Sequence, residues 1–318
     1  MELIHTYQTS LDELKTEKID CIIAVSGFHS RCTYIAENID LKQSKKLVIT
    51  FDENYFIALR KEHESIFSRL GFVSAKAKAG SGKEIEILLE KICRDNVSED
   101  INIIVDYSCM PKIWLATILD YIIINELHVH RINVFFAFTP KKFIPDVKKK
   151  LEYIGPLMAS KDSIQNDTNL TLIAGLDNNY ESIIKLTNYI KPQKIFAFIP
   201  EPAFAREYAN SVLEKNKLFL EKIGEKNIIK YPANNPDEIN SKLTSLCLEM
   251  RLTSKVIIAP QGPKTFALTS LLLSIRYPDI KLWDIVFQVQ DYNPEEGVAS
   301  GEPVILKAVF SSDDEEEF

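Results

Sequence analysis

One recurring feature most constrains this chain. Short, unbroken runs of β-branched, aliphatic and aromatic residues each close on a small or polar residue and lead into a longer helical stretch. Four such runs occupy 19–25, 46–51, 101–105 and 131–138, closing at Ser26-Gly27, Asp52-Glu53, Asp106-Tyr107-Ser108 and Thr139-Pro140. A strand with one wet face alternates apolar and polar residues. A run without alternation fits a strand covered on both faces, as in a parallel sheet. Parallel neighbours need a crossover rather than a tight turn, and the helical stretches 57–70, 83–94 and 112–126 supply it. The pattern predicts an α/β fold built on an open parallel sheet.

The same order then returns. Runs at 170–174, 194–199, 227–230, 255–258 and 281–288 alternate with helical stretches at 180–190, 205–223, 236–251 and 265–275. Gly27 and Gly175, Lys46 and Lys194, and Glu53 and Glu201 are each 148 residues apart; Pro111-Lys112 and Pro263-Lys264 are 152 apart, and Cys93 and Cys247 are 154 apart. Landmarks repeating in order with a small drift are what a duplication with loop insertions produces. A chain of 318 residues allows one large domain or two, and the repeat selects two. The expected architecture is two Rossmann-like parallel-sheet halves in tandem, packed as a pseudo-dimer, at 1–160 and 170–312. The polar stretch 159–169 reads as the linker and 313–318 as an acidic disordered tail. The last apolar runs, 285–290 and 304–310, flank a segment rich in Pro, Glu and Gly and predict a C-terminal antiparallel β-hairpin.

Several function classes are disfavoured. The formal charge of −7 falls to −2 without the five acidic residues among the last six, so the body is nearly neutral and a large basic nucleic-acid face is not expected. The five cysteines show no C-x-x-C spacing, which argues against a disulfide framework or a zinc site; the thiols read as small core residues, and no metal is expected. The N-terminus lacks a basic, then apolar, leader. The most apolar window, 113–124, is interrupted by Asp120, is too short for a bilayer and reads as a buried helix. A cytoplasmic protein with no membrane partner is expected. No G-x-G-x-x-G follows a strand, no G-x-S-x-G elbow occurs, and Ala79-Gly80-Ser81-Gly82-Lys83 lacks the Walker spacing. No cofactor is expected.

In open α/β sheets, ligands bind beyond the carboxyl ends of the strands, where helix N-termini offer unpaired N–H groups to anions. The candidate contacts are Ser26, Gly27, Asp106 and Ser108 in the first half, and Asp177, Asn178, Glu201, Gln261, Gly262, Lys264 and Thr265 in the second. Each also has an ordinary reading as a loop or helix-cap residue. The stretch from Ala259 to Thr265 is the most informative. Gly262 lets a ligand approach the backbone, Pro263 suits a first helical turn, Lys264 offers a mobile cation and Thr265 a hydroxyl. Two prolines stiffen the loop around Glu201, with Arg206 one turn into the next helix. Of the five histidines, His29 is the one at a predicted strand end.

This strand, Gly-containing turn, Lys-Thr pair and following helix resembles the Gly-rich, Lys-bearing motif of CARF domains, Rossmann-like sensors of cyclic oligonucleotides in prokaryotic defence systems. The matching positions are Gly262, Lys264 and Thr265, while Asp177 and Asn178, or Ser26 and Gly27, stand where that family carries polar residues after its first strand. The resemblance covers the topology of each half and a handful of residues. One glycine replaces a pair, Pro263 precedes the Lys, and Met110-Pro111-Lys112 has no glycine. The resemblance implies a ligand-sensing regulatory protein of antiviral defence, with binding rather than catalysis the favoured role. It would bind a nucleotide-like small anion, act on a separately encoded protein effector and form a homodimer. Two alternatives stay open. One is an enzyme acting on a nucleotide or phosphosugar, with Asp52, Asp106 or Glu201 as acid or base. The other is a non-catalytic scaffold subunit of a larger complex.

Overall fold

The computed structural model describes residues 1–53, 57–94, 100–125, 129–144, 149–157, 169–201, 206–289 and 297–312. The linker at 159–168, the acidic tail at 313–318 and Pro202 beside Glu201 lie outside these residues. In chain order the elements are β1 (Glu2–Thr9), α1 (Leu11–Leu14), β2 (Cys21–Ser26), α2 (Tyr34–Asn38), β3 (Lys45–Phe51), α3 (Ile57–Arg69), β4 (Val73–Ala77), α4 (Lys83–Arg94), β5 (Asp100–Asp106), α5 (Lys112–Ile124) and β6 (Arg131–Phe138). There follow β7 (Lys149–Pro156), β8 (Leu170–Gly175), α6 (Tyr180–Ile190), β9 (Lys194–Glu201), α7 (Arg206–Lys215), α8 (Lys217–Ile223), β10 (Ile228–Pro232), α9 (Pro236–Met250), β11 (Lys255–Ala259), α10 (Lys264–Arg276), β12 (Lys281–Val289) and β13 (Val304–Ser311). No helix among the described residues is long and apolar enough to cross a membrane.

The chain divides into two compact units, one of 1–142 with 294–318 and one of 143–293. The first holds a seven-stranded sheet in the order β1-β13-β6-β5-β2-β3-β4, the second a six-stranded sheet in the order β10-β9-β8-β11-β12-β7. In the first, β6, β5, β2, β3 and β4 run parallel; in the second, β12, β11, β8, β9 and β10 do. The two parallel series have the same order, so the fold is a Rossmann-like α/β arrangement used twice in tandem. The central strands β2 and β8 are buried at every residue, as their unbroken apolar runs require. Helices α5 and α10 are buried nearly all round, as expected of helices without a polar face.

The two strands expected at the C-terminus both form, but they do not pair with each other. β12 pairs antiparallel with β7 in the second sheet, and β13 pairs antiparallel with β6 in the first. The repeat thus ends each time in a final parallel strand followed by an antiparallel one, β6 then β7 and β12 then β13, and the two closing strands are exchanged between the sheets. Burial explains the choice. β13 is buried at seven of its eight residues, and its place between β6 and β1 gives it a partner on each side. Paired only with β12 it would form an exposed edge. The division of the chain moves accordingly: the first unit ends before β7 and reclaims β13, instead of closing at 160.

Other differences have local causes. The helix expected over 205–223 breaks at Asn216, a buried residue whose Nδ2 donates to the Asp177 and Val212 carbonyls. Strands β1, β4 and β7 were not legible as apolar runs. All three are edge strands with polar residues such as Lys, Glu and Gln, because one side has no neighbour to demand burial.

Candidate functional site at the strand ends

In each sheet the strand order reverses at one place: successive crossovers run outward from β2 and from β5 in opposite directions, and likewise from β8 and β11. Such switch points open a crevice beyond the carboxyl ends of the two central strands. The sequence-derived candidates divide between them. Ser26, Gly27, Asp106 and Ser108 stand at the first, and Asp177, Asn178, Gln261, Gly262, Lys264 and Thr265 at the second. Glu201 stands apart: it is exposed and lies in register with Pro232 on the outer strand β10. Asp52, beyond β3, is likewise exposed.

At the first switch point a set of polar groups is held out of water. Ser26 closes β2 and is fully buried, with no partner for its Oγ. Asp106 closes β5; its Oδ1 accepts from the Ser108 N–H at 3.0 Å, and its buried Oδ2 has no partner. Burial pushes the Asp106 carboxyl up to about 7, against the opposing pull of the Ser108 hydrogen bonds. Ser108 is structural: its Oγ accepts from the Thr139 N–H at 2.8 Å and ties the end of β5 to the end of β6. Arg31, 4% exposed, reinforces that tie. Its Nη1 donates to the Thr139 carbonyl at 2.6 Å and its Nη2 to the Ser108 carbonyl at 2.8 Å. Thr139 Oγ1 and Arg31 Nε remain buried without partners. Buried polar groups in native proteins are nearly always satisfied, so this concentration singles out the first switch point as the candidate site.

Gly27 is needed for contact rather than for backbone freedom. A Cβ there would stand 3.0 Å from Cys109 Cβ and 3.3 Å from Cys109 Sγ. Its carbonyl accepts from His63 Nδ1 at 2.8 Å, which assigns the proton to that nitrogen. Cys109 is half-buried, unlike Cys21, Cys32 and Cys247, which are core thiols as expected. Hydrogen bonds from Cys32 and His29, with the Arg31 charge nearby, hold the Cys109 thiol well below the ordinary thiol range. Burial holds His29 below its usual value and pushes Cys32 up.

At the second switch point the polar groups serve one another. Gln261 Nε2 donates to Asp284 Oδ1 at 2.7 Å, and the fully buried Thr265 donates to the Ala233 carbonyl at 2.7 Å. Asp177 Oδ1 accepts from the Asn179 N–H at 2.9 Å and turns the chain into α6. Gly262 has φ +89°, and a Cβ there would stand 2.7 Å from the Leu176 carbonyl oxygen, so this glycine is required by its own loop. Gly175, at the repeat position of Gly27, closes on Gln261 just as Gly27 closes on Cys109. Asn178 and Lys264 are half-buried. Tyr231 is the exception: its hydroxyl is buried without a partner, against Phe198 and Phe266. Tyr231→Phe is expected to leave stability unchanged or raise it by about 1 kcal/mol, because it removes an unsatisfied group without changing the packing. A urea melt checks this; a loss above about 1 kcal/mol reveals a hydrogen bond on that hydroxyl.

The sequence-derived candidates give most weight to the second unit, whereas the unsatisfied polar atoms among the described residues concentrate in the first. Arg31, Cys32, Cys109 and Thr139 were not among the candidate contacts. Cys32 and Cys109 read as core, and a buried Arg is invisible until its two carbonyl partners are brought to it. A groove of about 470 Å³ lies along α7 and α8, lined by Leu213, Lys217, Leu220 and Ile228. Ile228 begins β10, so this groove is at the opposite end of the sheet from the crevice. No group of three or more His, Cys, Asp or Glu side chains suited to a metal ion occurs among the described residues.

No family model matches the chain, and no curated protein sequence matches it. Among solved structures, the cytoplasmic domain of a prokaryotic cation chloride cotransporter is similar over 85% of this chain and 96% of that one, at 9% identity and a TM-score of 0.26.

Proposed function

We propose that the protein is a ligand-sensing regulatory protein that binds a nucleotide-like anion beyond the carboxyl ends of its central strands. The observation that carries this reading is the pair of buried, unpartnered atoms Ser26 Oγ and Asp106 Oδ2 on neighbouring strand ends at the switch point of the first sheet. A carboxyl with a pKa near 7 is partly protonated at neutral pH and can donate to, or accept from, a base edge or a hydroxyl. The anionic part of the ligand belongs at the N-terminus of α5, where Pro111 precedes Lys112 and the helix offers its first N–H groups.

The second unit repeats this device. Pro263 precedes Lys264 at the start of α10, with φ −57° and ψ 143° against −59° and 146° for Pro111. Each helix start suits one anionic group within its own unit. The CARF-like reading, with a cyclic oligonucleotide in antiviral defence and a separately encoded effector, is the specific form of this proposal; it rests on Gly262, Lys264 and Thr265.

Isothermal titration of a nucleotide panel against the wild type, Lys112→Ala and Lys264→Ala tests the reading. Loss of one charge-assisted contact is expected to weaken binding about tenfold or more, with the fold intact by circular dichroism. Unchanged affinity in both variants removes the helix starts from the site. Turnover of the nucleotide, abolished in Asp106→Asn, favours the enzyme instead.

A further inference from the structure

The two thiols at the first switch point carry a chemistry that ligand sensing does not use. Both sulfurs flank Gly27. Cys32 Sγ lies 3.8 Å from its carbonyl oxygen, and Cys109 Sγ lies 3.3 Å from where its Cβ would be. The Cys32 thiol and the His29 ring both lie within hydrogen-bonding reach of Cys109. The two segments are fastened together. Arg31, next to Cys32, donates to the carbonyl of Ser108, next to Cys109. Gly297 approaches the same turn closely, since a Cβ there would stand 2.7 Å from His29 Cα. Cys32 is 1% exposed, and Cys109 is partly open to solvent.

We infer that Cys109 and Cys32 form a peroxide-reactive dithiol, with Cys109 the attacking sulfur and Cys32 the resolving one. The Cys109 thiolate attacks one oxygen of a hydroperoxide. An S–O bond forms as the O–O bond breaks, and the departing oxygen takes a proton from water and leaves as water or an alcohol. The sulfur is oxidised by two electrons to a sulfenic acid, and the peroxide is reduced by two. The Cys32 sulfur then attacks the sulfenic sulfur; its proton leaves with the hydroxyl as water, and a disulfide remains. The groups facing Cys109 are Cys32, His29, Arg31 and Asp106, with Lys141 facing His29. Asp106 alone among them opposes the thiolate. The adjacent second thiol distinguishes this arrangement from a single nucleophile built for acyl transfer. The inference stands independently of the nucleotide reading.

The test uses the full chain, reduced and then treated with a small excess of hydrogen peroxide, followed by unfolding, alkylation and peptide mass mapping. The expected product is a Cys32–Cys109 crosslink two hydrogens lighter than the separate peptides, with Cys21 and Cys247 alkylated. Cys32→Ser is expected to stop at the Cys109 sulfenic acid, trapped as its dimedone adduct. In the native protein at pH 6, Cys109 is expected to react with iodoacetamide at least tenfold faster than Cys21 or Cys247, and His29→Gln to reduce that advantage. Oxidation of Cys109 no faster than of Cys21 or Cys247 overturns the inference. So does oxidised Cys109 that never joins Cys32. Both readouts come from the wild type, so neither depends on a variant folding.

Discussion

Asp106→Asn is expected to make the protein more stable at pH 8 and, at the same time, unable to hold its ligand. Folding raises the Asp106 carboxyl from 3.8 to about 7. Below about pH 4 the group is protonated in both states and contributes nothing to pH dependence. Between about pH 4 and 7 the folded state retains a proton that the unfolded state has lost, so stability falls as pH rises. Above pH 7 the full cost is present, roughly 4 kcal/mol at about 1.4 kcal/mol per pKa unit. Asn cannot ionise and keeps the oxygen that accepts from Ser108. Its new N–H₂ faces the place where Oδ2 has no partner, which offsets part of the gain. Urea melts at pH 4, 6 and 8 are expected to show a gain of roughly 2–3 kcal/mol at pH 8 that becomes a loss of roughly 1–2 kcal/mol at pH 4, because the amide offset acts at every pH. Equal slopes for the two proteins between pH 5 and 8 remove Asp106 from this role. A residue that costs stability at neutral pH yet is placed at the switch point has the character of a functional group rather than a structural one.

Gly175→Ala is expected to be severely destabilising, and the equivalent change in the first unit mild. The added methyl would stand 2.4 Å from the Gln261 carbonyl oxygen and 2.5 Å from the Phe266 ring. Neither can yield, since one is backbone and the other is fully buried. A loss of about 3 kcal/mol follows from overpacking of this kind. At Gly27 the nearest atom is Cys109 Cβ at 3.0 Å, on a half-buried side chain, and about 1 kcal/mol is expected. The contrast is informative because the two glycines occupy the same place in the repeat. Chemical denaturation of the two variants checks it. Equal losses contradict the reading that Gly175 is held between backbone and a buried ring whereas Gly27 faces a half-buried side chain.

How much of this was legible in the sequence follows from burial. Strands β2, β5, β6, β8, β9 and β11 announce themselves because both faces are covered over most of their length, so nearly every residue there must be apolar or small, while β3 and β12 do so through shorter buried stretches. The edge strands β1, β4 and β7 answer to one neighbour and carry no such constraint. The exchange of β7 and β13 between sheets was out of reach for a different reason. A strand's own residues specify how buried it is, not which of two equivalent edges it joins. At the first switch point, Ser26 and Asp106 were legible as strand-end residues because strand ends are marked by the chain's own punctuation. Arg31 and Cys109 were not, since their significance lies in partners 77 and more residues away, Ser108 and Thr139 for one and the His29–Cys32 turn for the other.

The most direct test of ligand binding at the first switch point is native mass spectrometry of the freshly purified chain beside Asp106→Asn. The wild type is expected to retain, or take up from a nucleotide panel, an anionic nucleotide-like compound that the variant does not hold, although the variant is the more stable protein at pH 8. Equal occupancy of the two proteins, or binding of no nucleotide by either, contradicts the assignment.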